Sequence, residues 1–522
     1  MRNGAGQAAT TPPPFPTSGP VPVATDRPFA ELPTELRVDG TTLVVDLAGV
    51  AVDDLPAARL TGPRATVPAE VAASATGVTL RFPLLVTRWG VPGLALPAGG
   101  YAVELDGDAT PVPARPGPVA VHHQLFRAEA RVTAGVVTVR VAPPFADHEQ
   151  RPRPHRDHRQ VFLRGRTSPQ NAVYFESFYG RSASDNPAAI DRALAALRPD
   201  VTRYWSVTDG SVAVPEGAVR LVEGTDEWWR VRAEARVYVI NDWLRWTFHR
   251  RPYQHVLQTW HGTPLKRLAL DRRAVSLRTR SAVIRQQARW DALLSQNSFC
   301  TTALQSAYRV RCPVWELGYP RNDVLAEPDR APAIRAAVGV PAGARVVLYA
   351  PTWRDDQDAM VDHLDTAAFA AALPPDHVLL VRGHSRTLAH GADHSGGRLI
   401  DVTSYPDMAH LMLLADVLVT DYSSSMFDFA RTGRPIVFYA PDSDHFAERL
   451  RGFYFDIYEH APGPVVTTAD EVLDAVRGLD TVAAQYREPY AAWRERFTPT
   501  DDGRAGERVV QRMLDEGWLL PG

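Results

Sequence analysis

From about residue 155 onward the chain sets strand-like apolar runs in alternation with helix-length segments, and no other feature constrains the fold as strongly. VYFESF (173–178) leads into the helix-like NPAAIDRALAAL and then VTRYWSV, with further strand-like segments at VRLVEG, VYVIND and VLQTWHG. A second series begins near Arg345 with ARVVLYAPTWR and continues through DTAAFAAAL, HVLLVRGHS, GRLIDVTS, DMAHLMLLA, DVLVTDYSS, SMFDFART and PIVFYAP. Strands that alternate with helices build a parallel sheet covered on both faces, which suits runs as apolar as VVLYA and VLVTD. Two such series, each of about 170 residues, predict two doubly wound α/β domains with a cleft between them.

The first part of the chain has a different rhythm. Residues 1–28 are rich in Pro, Thr and Ala and have almost no large apolar side chains, so they read as a disordered tail. Between 29 and 148 short β-branched runs, TTLVVDLAGV, VTLRFPLLV, GYAVELDG, AVHHQLFRAEARV and GVVTVRVAPP, are punctuated by Gly, Pro and Asp. That pattern predicts an antiparallel β-sandwich, with a hairpin turn at Thr133-Ala134-Gly135. RPRPHRDHRQVFLRGR (151–166) is a basic connector. The expected organisation is therefore a tail (1–28), a β-sandwich-like accessory domain (29–148), two α/β domains (155–330 and 331–495) and a C-terminal helix (496–522). A length of 522 residues fits about three domains at roughly 150 residues each.

Charge and cysteine content narrow the function classes. With 57 basic and 60 acidic groups the net charge is −3, which does not favour nucleic acid as the main partner. Two cysteines, Cys300 and Cys312, make neither a disulfide framework nor a metal-ligand pattern and are expected as packed thiols. No 18-residue apolar run and no secretory signal is evident, so the expected location is the cytoplasm, peripheral to the membrane. Arg has replaced Lys almost everywhere, and the one remaining lysine is Lys266.

Four clusters are candidates for chemistry. In LQTWHGTPLKR, VLQTW delivers His261, Gly262 and Thr263 to a strand end, Pro264 is placed to start a helix, and Lys266 falls in or just after its first turn. A neutral imidazole takes a proton from a hydroxyl near neutral pH, and a lysine or a helix start holds phosphate, so Gly262, Thr263 and Lys266 are expected beside phosphate; the plain alternative is a histidine that caps a turn and a lysine on a solvated face. VRGHSR places Arg382, His384 and Arg386 at another strand end, as an anion site or as a basic loop paired with acids. In DVLVTDYSSSMFDFA, Ser423, Ser424 and Ser425 open a helix whose amides and dipole suit phosphate, with Asp421 beside them. In APTWRDDQD, Asp355, Asp356 and Asp358 read as solvated acids, and no metal or other cofactor is expected. Lys266, Arg267, Arg272, Arg273, Arg278, Arg280, Arg285 and Arg289 form a basic stretch that suits anionic lipid, a polyanionic acceptor or simply solvent.

LQTWHGTPLK, LGYPRND (317–323), YAPTWR, VRGHS, VTDYSSSMFDFA with RPIVFY, and the later GFYFD, PGPV and DDG together resemble the CDP-glycerol glycerophosphotransferase family, whose members prime or polymerise teichoic-acid-type chains. The resemblance covers about 173–514 and leaves the β-rich region outside. It implies a GT-B-like pair of Rossmann-type domains. It further implies transfer of glycerol phosphate from CDP-glycerol, or another polyol phosphate from a related CDP-polyol, to a hydroxyl of a lipid-linked polyol phosphate or glycan acceptor, with release of CMP. By the same resemblance His261 is the general base, His384 contacts the donor pyrophosphate, and Ser423 and Ser424 hold donor phosphate, with Arg382 and Arg386 as neighbours. A GT-B nucleotide-sugar glycosyltransferase acting on a cell-envelope glycan is the competing enzyme class, and a glycan-binding protein with a degenerate α/β part the non-enzymatic one.

Overall fold

The computed structural model describes residues 34–55, 57–105, 108–109, 117–133, 136–149, 165, 167–352, 364–383, 397–441 and 452–522. The 1–28 tail, Ala134 and Gly135 of the expected hairpin turn, the acids of 355–358, and His384 and Arg386 lie outside these residues.

The β-rich region contains β1 (Thr34–Asp39), β2 (Thr42–Ala48), β3 (Ala58–Gly62), β4 (Ala65–Pro68), β5 (Glu70–Ala73), β6 (Gly77–Pro83), β7 (Leu85–Arg88), β8 (Val91–Ala95), β9 (Gly99–Leu105), β10 (Asp108–Ala109), β11 (Val119–His123), β12 (Phe126–Thr133) and β13 (Val136–Ala142). One sheet runs β1-β2-β6-β5 and the other β11-β12-β13-β9-β3-β4, with β10 on β9. β12 and β13 pair antiparallel up to Thr133 and Val136, which brackets the expected turn. The period of two is plain in β6, where buried Val78, Leu80 and Phe82 alternate with less buried neighbours. They share a core with Leu60, Val103 and Val139 of the opposite sheet, so the two sheets pack face to face. AVHHQLFRAEARV is two strands rather than one, because the chain turns at Gln124-Leu125.

The first α/β sheet has the order β16-β15-β14-β17-β18-β19-β20 and consists of β14 (Gln170–Glu176), β15 (Thr202–Val207), β16 (Val219–Val222), β17 (Ala235–Ile240), β18 (His255–Gln258), β19 (Ala292–Ser295) and β20 (Val314–Glu316). The second has the order β23-β22-β21-β24-β25-β26, from β21 (Arg345–Ala350), β22 (His377–Val381), β23 (Leu399–Asp401), β24 (Val417–Thr420), β25 (Ile436–Tyr439) and β26 (Val465–Val466). Every pairing in both sheets is parallel. In each sheet the chain winds outward one way and then restarts in the middle to wind the other way. The switch falls between β14 and β17 in the first sheet and between β21 and β24 in the second, and a ligand crevice opens at the carboxyl ends of such strands.

The end of the chain returns to the first sheet. The Ala505–Asp515 helix buries Val509, Val510 and Met513, with Trp518 and Leu519 beyond it, in the core of β14–β20. Its first amides, Ala505 N and Gly506 N, donate to the Asp323 carboxylate at 2.9 and 2.7 Å, a capping arrangement suited to a helix N-terminus. Both cysteines are free, and burial pushes each thiol up, Cys312 to about 11.

Candidate active site

His261 lies in the loop that leaves β18. Gln258 shapes that loop: its side-chain carbonyl accepts from Trp260 N at 2.9 Å and its amide donates to Asp242 O at 2.9 Å. The Trp260 indole stacks on the His261 ring at 4.5 Å, and Phe178, from the loop after β14, stands 6.0 Å from the ring on a different element. Phe178, Tyr179, Asp185 and Trp260 all have positive φ without being glycine, a conformation kept only where surrounding contacts enforce it and one that clusters at functional sites. The enforcing contacts are visible. Phe178 N donates to Asn241 Oδ1, Arg245 donates to Tyr179 O and to Glu223, and Asn186 Nδ2 donates to the Thr259 and Trp260 carbonyls. Burial pushes the Glu223 carboxyl up to about 7. Burial likewise raises the Asp242 carboxyl, and the nearby His261 imidazole pulls it back down.

On the other sheet, Asp421 follows β24 at the switch point. Its carboxylate accepts from Thr352 N at 2.8 Å and Tyr422 N at 2.6 Å, which ties the ends of β21 and β24 together. Ser423 and Ser424, both half-buried, then enter the short Ser425–Phe429 helix. Ser423 Oγ accepts from Ser425 N and Ser425 Oγ, at 3.3 and 2.9 Å, so part of this turn is held by its own hydroxyls.

The two strand ends meet at Gly262. A methyl group built on Gly262 would lie 2.9 Å from Ser424 Oγ, 3.3 Å from Ser424 Cβ and 3.2 Å from Arg321 Nη2, and the residue's φ is +148°. Only glycine allows this approach without a shift.

Arg321 joins the halves further. Its guanidinium donates to the His261 carbonyl at 2.7 Å, to Asp185 at 2.8 Å and to Asp428 in the Ser425–Phe429 helix. Burial works against this charge, but the carboxylates of Asp428 and Asp185 outweigh it and hold the guanidinium firmly protonated. Asn322 Nδ2 donates to Asp428 and Asp501, both at 2.8 Å, and Gln296 Nε2 donates to the same pair at 3.3 and 2.8 Å. Burial raises both carboxyls, Asp501 to about 6. Buried networks of this kind are stabilising only when their members are satisfied together. Here the network draws on loops from both sheets and on the segment before the last helix.

Several sequence-based expectations change. Pro264 starts no helix: Leu265–Arg267 runs antiparallel to 452–454, with Lys266 bridged to Phe453, Arg267 N donating to Gly452 O and Tyr454 N donating to Leu265 O. Lys266 is therefore held in an extended segment between the halves. Thr263, expected beside phosphate, is fully buried, and its hydroxyl donates to Gln296 Oε1 at 2.7 Å. Arg382 is half-buried. Its Nη1 donates to the Val402 and Tyr405 carbonyls, and burial pulls the guanidinium down to about 10 despite nearby Asp407 and Asp401. It braces the strand end that precedes His384. Sequence alone does not single out Arg321, Asn322, Asp428, Asp501 and Gln296 as a set, although Arg321 and Asn322 lie in LGYPRND and Asp501 in DDG.

Residues 159–515 match the family model described as CDP-Glycerol:Poly(glycerophosphate) glycerophosphotransferase. The chain is 34% identical over 368 residues to a teichoic acid glycerol-phosphate transferase of Staphylococcus aureus (66% of this chain, 93% of that protein). It is 32% identical over 378 residues to a teichoic acid poly(glycerol phosphate) polymerase of Bacillus subtilis, covering 68% of this chain and half, 50%, of that protein. Among solved structures the wall teichoic acid polymerase TagF superposes with a TM-score of 0.65 at 31% identity, covering 70% of this chain and 94% of that one.

Proposed function

The chain belongs to the CDP-glycerol:poly(glycerophosphate) glycerophosphotransferase family, and from that premise we propose that its cleft moves glycerol phosphate from CDP-glycerol to a hydroxyl of a lipid-linked or polymeric acceptor in teichoic-acid-type synthesis. The acceptor oxygen forms a new bond to the β-phosphorus, the bond from that phosphorus to the bridging oxygen breaks, and CMP leaves. His261 takes the hydroxyl proton as general base. Ser423 and Ser424 at the helix start, with Lys266, His384 and Arg386, neutralise the donor phosphates where charge develops.

The observation that carries this reading is the approach of Gly262 to Ser424, which sets the base-bearing loop against the hydroxyl-lined helix start. In this reading 155–330 is the acceptor half and 331–495 the CDP-donor half of a GT-B-like pair. The lipid-linked acceptor is met at the cytoplasmic face of the membrane by the Leu277–Gln287 helix. Residues 272–290 hold six arginines and no acid, and Leu277 and Ile284, one heptad apart, are 84% and 36% exposed.

The test is to incubate the full chain with CDP-glycerol, CDP-ribitol or UDP-sugars and a glycerol-phosphate primer, and to measure nucleotide release. CMP release from CDP-glycerol is expected. Release of UDP alone would replace this reading with that of a nucleotide-sugar glycosyltransferase.

A further inference from the structure

The β-sandwich precedes the family match, which begins at residue 159, yet it touches both halves of the cleft. Toward the first sheet, Arg64 Nη2 and Ala98 N each donate to Asp209 Oδ2 at 3.0 Å, and Ala95 N donates to Gly210 O at 3.2 Å. Asp209 is 3% exposed and lies just past β15. Next to it Thr208 N donates to Gly180 O at 2.9 Å, in the loop that carries Phe178 to within 6.0 Å of the His261 ring.

Toward the second sheet the contact is the tip of the β7–β8 hairpin. Arg88 pairs with Val91 across a two-residue turn in which Trp89 (φ +52°) and Gly90 (φ +77°) are both left-handed. A turn with both central φ positive favours Asn or Asp at the first position, where a bulky aromatic is strained. Trp89 is nevertheless there, and its ring meets the Tyr405 ring edge-on at 5.3 Å and 73°. Gly90 lies against Ala337, whose Cβ would be 3.3 Å from an added Cβ. The Tyr405 carbonyl accepts from Arg382, which stands two residues before His384.

We propose that the β-sandwich is an intramolecular brace for the cleft, in which Trp89 is a positioning residue for the donor-side strand end. Anchored at Asp209 beside the loop that supports His261, it reaches Tyr405 and, through it, the segment that leads to His384. The kinetic part of this inference rests on the transfer reaction proposed above; the mechanical part does not.

The test uses full-length Trp89→Asn, which suits the left-handed turn and removes the ring, and Trp89→Phe, which keeps a smaller one. Hydrogen–deuterium exchange across 399–414 is measured together with kcat and KM for CDP-glycerol. In Trp89→Asn the segment should exchange faster, and KM should rise roughly 2- to 10-fold, the range expected for losing one edge-to-face aromatic contact, with kcat nearly unchanged; Trp89→Phe should fall between it and the parent. Should Trp89→Asn fail to fold by circular dichroism, Trp89→Phe carries the same comparison. Unchanged exchange overturns the brace, and faster exchange with unchanged KM overturns the positioning role. Absence of CMP release by the parent chain would remove the proposed reaction while the exchange data still decided the brace.

Discussion

Gly262→Ala should separate the two strand ends. The added methyl would sit 2.9 Å from Ser424 Oγ and 3.3 Å from Ser424 Cβ, whereas ordinary contact begins at 3.4 Å. Rotation of the Ser424 hydroxyl relieves the first contact, but those at 3.3 Å to Ser424 Cβ and 3.2 Å to Arg321 Nη2 remain, so the loops must part by about 0.1–0.2 Å; since 1 Å of misplacement costs about 100-fold, kcat/KM should fall roughly 2-fold. The backbone, at φ +148°, adds a strain of about 1–3 kcal/mol. Thermal or urea unfolding gives the stability change, and CMP release from CDP-glycerol gives the kinetic one. A cycle with Ser424→Gly separates the two causes. Removing that side chain opens the space, so the double variant should recover a coupling of about 1 kcal/mol in stability and retain the strain. Additive stabilities, or Gly262→Ala with parental kcat/KM, would refute the close approach of the loops.

Arg321→Met leaves Asp185 and Asp428 facing each other in a buried site and should destabilise by about 3–5 kcal/mol, while Arg321→Lys, which keeps the charge but not the fork, should lose less stability and still lose activity; urea midpoints and CMP release check both. The Asp501 carboxyl is raised by burial from 3.8 to about 6, so the folded chain holds that proton more tightly than the unfolded one. Its contribution to stability is present below about pH 4 and is lost as pH rises through 6. Asp501→Asn should flatten the urea-midpoint profile between pH 4 and 6.5, by on the order of 2–3 kcal/mol at most; an identical slope would contradict the assignment. Charge reversal of Arg278, Arg280 and Arg285 should abolish co-sedimentation with vesicles containing phosphatidylglycerol and leave turnover on a soluble primer unchanged.

The sheets were legible because runs such as VVLYA and VLVTD are short, β-branched and apolar on both faces, and the buried strands β21 and β24 form from them. The serine-led helix start was legible for a similar local reason. Local reasoning failed at Pro264, whose preference for a helix start is overridden by pairing of Leu265–Arg267 with 452–454, almost two hundred residues later. The sequence also could not show what Thr263 and Arg382 bond to inside the fold, where the Thr263 hydroxyl donates to Gln296 and Arg382 to backbone carbonyls. The Arg321 network was out of reach for another reason. Its bonds join positions 107 to 136 residues apart with Asp428 and Asp185, so no window of sequence contains both ends of a bond. Trp89 left a weak signal, a tryptophan before glycine in a tight turn, whose meaning depends on Tyr405 being on the far side of it.

The central claim is that His261 and the Ser423–Ser424 turn form one site, with the histidine as base. The most direct measurement is CMP release from CDP-glycerol at saturating primer by the parent chain and by His261→Ala, alongside CDP-glycerol binding by calorimetry. Turnover should fall by about 10²- to 10⁴-fold, the range for loss of a general base, with donor binding nearly intact. Parental turnover in His261→Ala would contradict the claim.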